Sequence, residues 1–480
     1  MNPLWFILGT PIVAAPILGI VGGRHYRIAA RLNVLASLVT LVAGLSLFRY
    51  RPAANSYFFI DDFNVYLVAL TAFVGFTTSV FSATYIGHEV ETGRLDAARL
   101  RFYHGMYQAF MLTMLLALVA NNLGIMWVAV EGATLATALM VSLYRTREAI
   151  EAAWKYFILC GVGIALALFG TILMYLAAQP VMGPGESAMA WTLLLDNVAR
   201  FDPAILNLAF VFLLAGYGTK VGLAPFHAWL PDAHAEGPTP ISAVLSGLLL
   251  NVALYAVLRF KILLAANAGA IAPGPLMVTM GLSSLLLAGF MLYRRRDIKR
   301  MFAYSSIEHM GIITFAFGMG GPLANFAGLL HMTMHSLTKS AIFFAVGHIA
   351  QVKGTQKLAD IRGLTVSHPL LGWTFVLGVI AIAGLPPLGI FTSEFLVVTS
   401  TMARQPLLAI PLVFGLLVGF GALVLRLQGV AFGEVPDGGH ARVRASLLPL
   451  WAHLGLVATA GLYIPPHLVQ WFQAVARLLG

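Results

Sequence analysis

Apolar stretches long enough to cross about 30 Å of hydrocarbon as helix recur along the whole chain, separated by short polar segments. About fourteen can be counted, starting near Pro3, Ala29, Phe63, Met106, Leu123, Trp154, Ala204, Pro240, Pro275, Met301, Leu323, Pro369, Leu407 and Leu447. The pattern predicts an all-α polytopic membrane protein forming one membrane domain over residues 1–480. The first stretch lacks a basic leader and contains Pro11 and Pro16, so it is expected to stay as a helix. Beyond the last stretch, Pro466 to Gly480 carries Trp471, Phe472 and Arg477 at a helical period and is expected to lie along the bilayer interface.

Composition sharpens this picture. Of 480 residues, 59% are hydrophobic and 10% charged, more apolar surface than a soluble fold could hide. The net charge of +10 comes from residues spread through short loops, without a basic domain or aromatic platform, which argues against nucleic-acid binding. Cys160 is the single cysteine, so an intramolecular disulfide, a cysteine zinc site and a cysteine-ligated iron–sulfur cluster are excluded within this chain. No metal or cofactor site is expected in it. Basic residues such as Arg24, Arg94, Arg145, Arg294, Arg295, Arg296, Lys353, Arg442 and Arg444 fall on one side of the spans. Arg49, Arg51, Arg200, Arg259, Lys261 and Arg404 fall on the other. The heavily basic side is expected to face the cytoplasm of a prokaryote, with both termini outside and the Pro231-to-Glu236 loop inside.

Ionisable residues within the spans carry the candidate chemistry. Glu131 lies many residues from either end of its stretch, where a carboxylate cannot easily reach water, and needs a partner or a cavity. Lys220 and the membrane-edge Lys155 are the obvious cationic candidates. Lys220 itself precedes a break built from Gly218, Gly222 and Pro225, and broken backbone at membrane depth is tolerated only where protein or water satisfies it. His331, His335 and Lys339 follow at i, i+4 and i+8, a polar ladder on one helix stripe, and an imidazole can accept a proton on one nitrogen while donating from the other. Reading His331 and His335 as zinc ligands lacks a third ligand on that stripe, and haem histidines usually come from separate helices. A second break, Gly384-Leu-Pro386-Pro387, is followed by the carboxylate of Glu394. Paired interruptions of this kind mark transporters built from inverted repeats.

The block from Lys220 to Glu236, the following Pro238-Thr-Pro-Ile-Ser-Ala243, the run Arg295 to Gly311 and the buried Glu131 together resemble the antiporter-like subunits of respiratory complex I, Mrp cation/proton antiporters and membrane-bound hydrogenases. The resemblance covers roughly Arg101 to Ser400. It implies fourteen core helices with two inverted five-helix repeats and two discontinuous helices. The implied division is a three-helix segment over 1–103, repeats over 104–266 and 267–432, and a C-terminal helix with interfacial tail over 433–480. It also implies a proton relay in which Glu131 is the channel glutamate, Lys220 the lysine of the first break, His331, His335 and Lys339 the central relay, and Glu394 the terminal acid. Lys155, His227 and Asn251 are further proton-transfer candidates, and Asp232, His234, Asp297, Lys299 and His309 are loop or interface candidates. Asn251 stands where the closest complex I subunits usually carry lysine, and Glu394 rather than lysine ends the series. The combination looks most like the F-type subunit of hydrogenase 4.

A subunit of this kind is expected to translocate protons on redox work done elsewhere. Its expected partners are membrane antiporter-like and anchor subunits, lipids, and peripheral subunits on the cytoplasmic side carrying iron–sulfur clusters and nickel–iron. The alternatives are a sodium/proton antiporter component of an Mrp-like assembly, the pumping subunit of an NADH:quinone oxidoreductase, a membrane enzyme reducing quinone in its own cavity, and a solitary permease.

Overall fold

Short polar side chains placed just before the apolar runs start the helices. Asn2, Asp61, Asp96, Asn122, Thr146, Asp202 and Asp297 each accept a backbone N–H of the first turn, satisfying donors that hydrocarbon would leave unpaired. The computed structural model describes residues 2–23, 25–435 and 446–480, and the regular secondary structure among them is helical apart from isolated bridges.

In chain order, α1 (Pro3–Val21), α2 (Tyr26–Ser46), α3 (Asp62–Glu91) and α4 (Ala97–Val119) pack side by side, followed by α5 (Leu123–Val141) and the long α6 (Arg147–Met182). A short α7 (Trp191–Asn197) leads to α8 (Pro203–Val221), which breaks before α9 (Leu230–Glu236). Then come α10 (Thr239–Val244), one π turn over Leu245–Leu249, α11 (Leu250–Ala265), α12 (Gly274–Leu292), α13 (Ile298–Met319) and α14 (Pro322–Lys353). A single turn α15 (Leu364–Ser367) precedes α16 (Pro369–Ile382), which breaks before α17 (Gly389–Arg404). The chain closes with α18 (Pro406–Phe432), α19 (Leu448–Leu462) and α20 (Pro466–Leu478).

Ten helices among the described residues are long and apolar enough to cross a bilayer, fewer than the expected fourteen. The physical reason lies in the chemistry of the rest. Ionisable residues in α13 and α14 lower their hydropathy, while α16, α17 and α19 are each short. The α10–α11 span is wholly enclosed, and α14 runs beside it through the centre, buried over nearly its whole length. The α1 helix lies at the periphery.

The loops separate into two ends as the charge distribution requires. At one end Arg99 donates to the Tyr144 carbonyl (3.3 Å), Arg300 pairs with Asp232 (3.2 Å) and Leu358 N donates to the Arg296 carbonyl (2.8 Å). At the other, Trp191 N donates to the Asn121 carbonyl (2.7 Å), Asn267 to the Phe201 carbonyl (3.0 Å) and Arg404 to the Met319 carbonyl (3.0 Å). Arg24, Arg442 and Arg444 lie outside the described residues. Two basic residues counted at the sparse end are not loop cations. Arg259 is fully buried, paired through both guanidinium nitrogens with Asp61 (2.7 Å each) and ringed by Phe59, Phe63, Trp191 and Tyr255, while Lys261 donates to the Leu479 carbonyl (2.8 Å). The tail packs back on the bundle. It turns by 84° from α19 and buries Phe472, Val475 and Ala476, with Phe472 against Tyr66 of α3 and Asn325 of α14 donating to the Ala476 carbonyl, leaving Arg477 exposed.

Two helix pairs cross on glycine seams. A Cβ on Gly281 would sit 2.6 Å from the Gly311 carbonyl oxygen and one on Gly311 2.6 Å from that of Gly281, while α6 and α8 meet as closely at Gly163, Gly170 and Gly216. Without a hydrophobic drive between helices in lipid, such close backbone approach supplies the packing. Replacing Gly311 with Leu is expected to cost about 3 kcal/mol or more by overpacking. A lowered unfolding midpoint of the purified subunit in mild detergent reads this out, with Gly9→Leu on the open face of α1 as the control that leaves it unchanged.

Candidate functional site

Both helix breaks use one device. Gly222 (φ +79°) and Gly384 (φ +68°) end α8 and α16 in the left-handed conformation that glycine adopts without penalty, and a cis proline, Pro225 or Pro387, follows three residues later. The hydrogen bonds repeat in register: Leu223 N to the Gly218 carbonyl and Leu385 N to the Ile380 carbonyl, then Phe226 N to the Leu223 carbonyl and Leu388 N to the Leu385 carbonyl. In that register Glu394 occupies the place of Asp232. Trp229 Nε1 adds a second donor to the Thr219 carbonyl (2.8 Å), and Pro386 stands exposed at the outer surface of the second break.

Around the first break, Lys220 is fully buried. Its ammonium makes no ion pair with Glu131. It donates instead to Thr134 Oγ1, whose hydroxyl in turn donates to Glu131 Oε2 (3.1 Å), and it approaches Tyr156 Oη at 3.4 Å with the ring centroid 5.0 Å away. Tyr156 Oη is fixed by Thr137 (2.6 Å). Thr134 falls one helical turn after Glu131, so the pair expected to be direct is bridged by a neutral hydroxyl. Lys155 is not a partner of Glu131: it lies at the surface, 2.6 Å from Asp232, which also holds Arg300, which holds Glu236 (3.2 Å). His227, in the break, is half-buried with its ring near Tyr304.

The centre of the molecule joins the two halves. The π turn over Leu245–Leu249 brings Gly247 against α14, where a Cβ would meet Ser340 Oγ at 2.5 Å. Asn251 donates to Ser336 Oγ (2.6 Å), which donates to the Gly247 carbonyl (2.6 Å), and Ser246 and Ser306 share a hydrogen bond of 2.7 Å. Asn251 therefore clamps the π turn to α14.

On α14, His331, His335 and Lys339 are all fully buried. Lys339 donates to the Phe302 carbonyl (3.0 Å). His309, expected at a loop or interface, stands instead deep in α13, its Nδ1 2.9 Å from His331 Nε2 and its ring stacked on His331 and close to His335. His331 Nδ1 continues to Ser393 Oγ (2.9 Å), beside Glu394, whose carboxylate lies against Gly384 of the break. Ligating atoms of His309, His331 and Glu394 lie within 4.8 Å of one another, so the third ligand missing from the α14 stripe is available from other helices and the set could hold a divalent cation. The facing histidine nitrogens are nevertheless engaged with each other and with Ser393, and an imidazole so placed can accept a proton on one nitrogen while donating from the other. Both nitrogens of His335 and the hydroxyls of Thr338 and Ser340 have no hydrogen-bond partner among the described residues, and polar atoms so buried are the kind that ordered water pairs with.

Lys299, placed by sequence at a loop, is buried and donates to the Ala235 (3.0 Å) and Gly237 (2.5 Å) carbonyls, closing the end of α9. His234 is buried against Phe343, within electrostatic reach of Lys299 and Lys339. Asp297 caps α13 by accepting from Arg300 N (2.9 Å), and burial pushes its carboxyl up from the ordinary range. Sequence reasoning passed over Glu308, buried against Gly419 and within electrostatic reach of Lys339 and Glu394. Counting from Ile298 at 1.5 Å per residue puts it about 15 Å into α13, a depth the preceding arginine run obscures.

Comparison with known proteins places these features. Residues 120–419 match the family model described as NADH:quinone oxidoreductase/Mrp antiporter, transmembrane. The chain is 61% identical to the hydrogenase-4 component F homolog of Methylacidiphilum infernorum over 454 residues, 95% of each chain. It is 30% identical to NADH-quinone oxidoreductase subunit N of Desulforudis audaxviator, covering 78% of this chain and 74% of that one. The fold is that of a chain in the membrane-bound sulfane sulfur reductase, an archaeal respiratory membrane complex, with TM-score 0.89 at 20% identity over 100% of this chain and 98% of that one. The chain thus belongs to the family of antiporter-like membrane subunits shared by NADH:quinone oxidoreductases, Mrp antiporters and membrane-bound hydrogenases.

Proposed function

We propose that this subunit moves protons through the bilayer along a sideways row of buried groups, driven by redox chemistry in partner subunits of a hydrogenase-4-like complex. The observation that carries the reading is the enclosed ladder His309–His331–Ser393 with Glu394 beside it, and Lys339 and Glu308 within electrostatic reach of each other. Charged groups so placed are costly in a low dielectric and are kept where they serve an ion path. The 61% identity to a hydrogenase-4 component F homolog supports the hydrogenase assignment. The basic end is the cytoplasmic one on the positive-inside tendency, and peripheral subunits with iron–sulfur and nickel–iron centres dock there.

In this scheme Thr134 is the hinge of charge at the first break. Its hydroxyl accepts from Lys220 and donates to Glu131, so the ammonium and the carboxylate feel each other through one polarised O–H. At roughly 4 Å and an effective dielectric near 20, a direct pair would attract by about 4 kcal/mol, so a small rotation that removes the bridge changes how firmly Lys220 holds its proton. Asn251 holds no proton and orders the polar passage toward α14. The proton then reaches the histidines and Lys339, and Ser393 delivers it to Glu394.

Lys220→Met and Glu131→Gln are expected to abolish proton pumping by the intact complex in sealed vesicles while subunit assembly persists; unchanged pumping in either would reject the assigned roles. Thr134→Val is expected to slow pumping about tenfold and Thr134→Ser to preserve it, since one charge-assisted hydrogen bond is lost only in the first. Equal rates in both would show that Lys220 and Glu131 interact without the hydroxyl. Sodium-driven transport without any electron donor would instead support a sodium/proton antiporter.

A further inference from the structure

At the basic end, between the α12–α13 turn, the segment after α14 and the last turns of α18, the molecule holds a cavity of about 1000 Å³. Seven arginine or lysine side chains line it against two carboxylates, Glu236 and Asp297. Both carboxylates are already engaged, Glu236 with Arg300 (3.2 Å) and Asp297 with the first turn of α13. Arg295 lies over the Tyr304 ring (4.6 Å) and Arg426 donates to the Tyr293 carbonyl. Arg294, Arg296 and Lys357 are exposed at the cavity and have no carboxylate partner among the described residues. Three cations lining one cavity without a carboxylate partner among the described residues repel one another, and an anionic ligand relieves that repulsion.

The opposite wall is apolar. Leu425 is 61% exposed at the cavity, and below it on α18 Leu417 (63%) and Phe414 (51%) continue the same stripe, with Phe290 (55%) of α12 packed 6.0 Å from Phe414. A Cβ added to Gly429 would meet nothing within 4 Å, so the floor is open. A cationic pocket that runs directly into an exposed apolar track needs a ligand with an anionic end and a hydrocarbon end. An acidic protein segment would meet the charges and leave the track bare.

We propose that this cavity binds the head group of an anionic phospholipid. Arg294, Arg296 and Lys357 hold its phosphate oxygens and the acyl chains lie along α12 and α18. Guanidinium groups bind phosphate in bidentate fashion, and basic pockets between helices at a membrane surface hold such head groups.

Native mass spectrometry of the full chain in mild detergent tests this with dioleoylphosphatidylglycerol, tetraoleoyl cardiolipin, dioleoylphosphatidylcholine and glycerol 3-phosphate as probes. The expected result is retention of the two anionic lipids, with affinity lowered about tenfold, near 1.4 kcal/mol, in the triple variant R294Q/R296Q/K357Q. Gly429→Leu fills the floor without touching charge and is expected to lower it similarly. Equal binding of phosphatidylcholine would reduce the cavity to an apolar groove. Glycerol 3-phosphate binding as tightly as the lipids would make it a soluble-phosphate site. Loss of partner subunits from the triple variant with lipid affinity unchanged would assign it to an acidic protein. Each of these three results overturns the proposal.

Discussion

The structure turns on how charge is held where water is scarce. Lys220, Lys339 and Glu308 are enclosed by helices, yet none has an opposite charge within ion-pair distance among the described residues. The two lysines are held by neutral groups, Thr134 and Tyr156 for Lys220 and the Phe302 carbonyl and ring for Lys339. A buried ion pair in direct contact is deep and hard to open, whereas a charge held by neutral dipoles sits in a shallower well. In the proposed relay, that difference lets the same side chain take up and release a proton.

Holding such groups in place requires a scaffold whose backbone is interrupted at chosen points and tight elsewhere. The glycine seams bring α6 against α8, the helix that ends at the first break, and α12 against α13, the helix that carries His309. The breaks then set Lys220 at the end of one half-helix and Glu394 in the first turns of another. Because the Gly384 position has no Cβ, the Glu394 carboxylate can lie against the broken backbone itself. The π turn before Asn251 does the corresponding work at the centre, where one extra residue per turn lets Gly247 touch α14.

Much of this was legible in the sequence because lipid imposes strict rules on it. Apolar length predicted the helices, and Gly/Pro clusters predicted the two breaks. The i, i+4, i+8 spacing put His331, His335 and Lys339 on one face, as the structure has them. What sequence periodicity could not supply was which helices face one another. His309 looked like an edge residue because Arg295 and Arg296 stand shortly before it, yet it stacks on His331 from the neighbouring helix. Lys155 was drawn toward Glu131 by charge alone, while a residue distant in sequence, Asp232, holds it at the surface. Thr134 was hidden for a different reason: a threonine inside a span is ordinarily read as bonded to its own helix carbonyl, and nothing local shows that a lysine from α8 reaches it. Contacts between helices decide these cases, and one sequence contains no record of them.

In the proposed relay Glu394 receives the proton that the histidine ladder passes on. Infrared difference spectra of the intact complex, recorded as electrons are supplied and withdrawn, put this to the test. A protonated-carboxyl C=O band is expected to appear and disappear with turnover and to be absent in Glu394→Gln. Survival of every such band in that variant would rule Glu394 out as the acceptor.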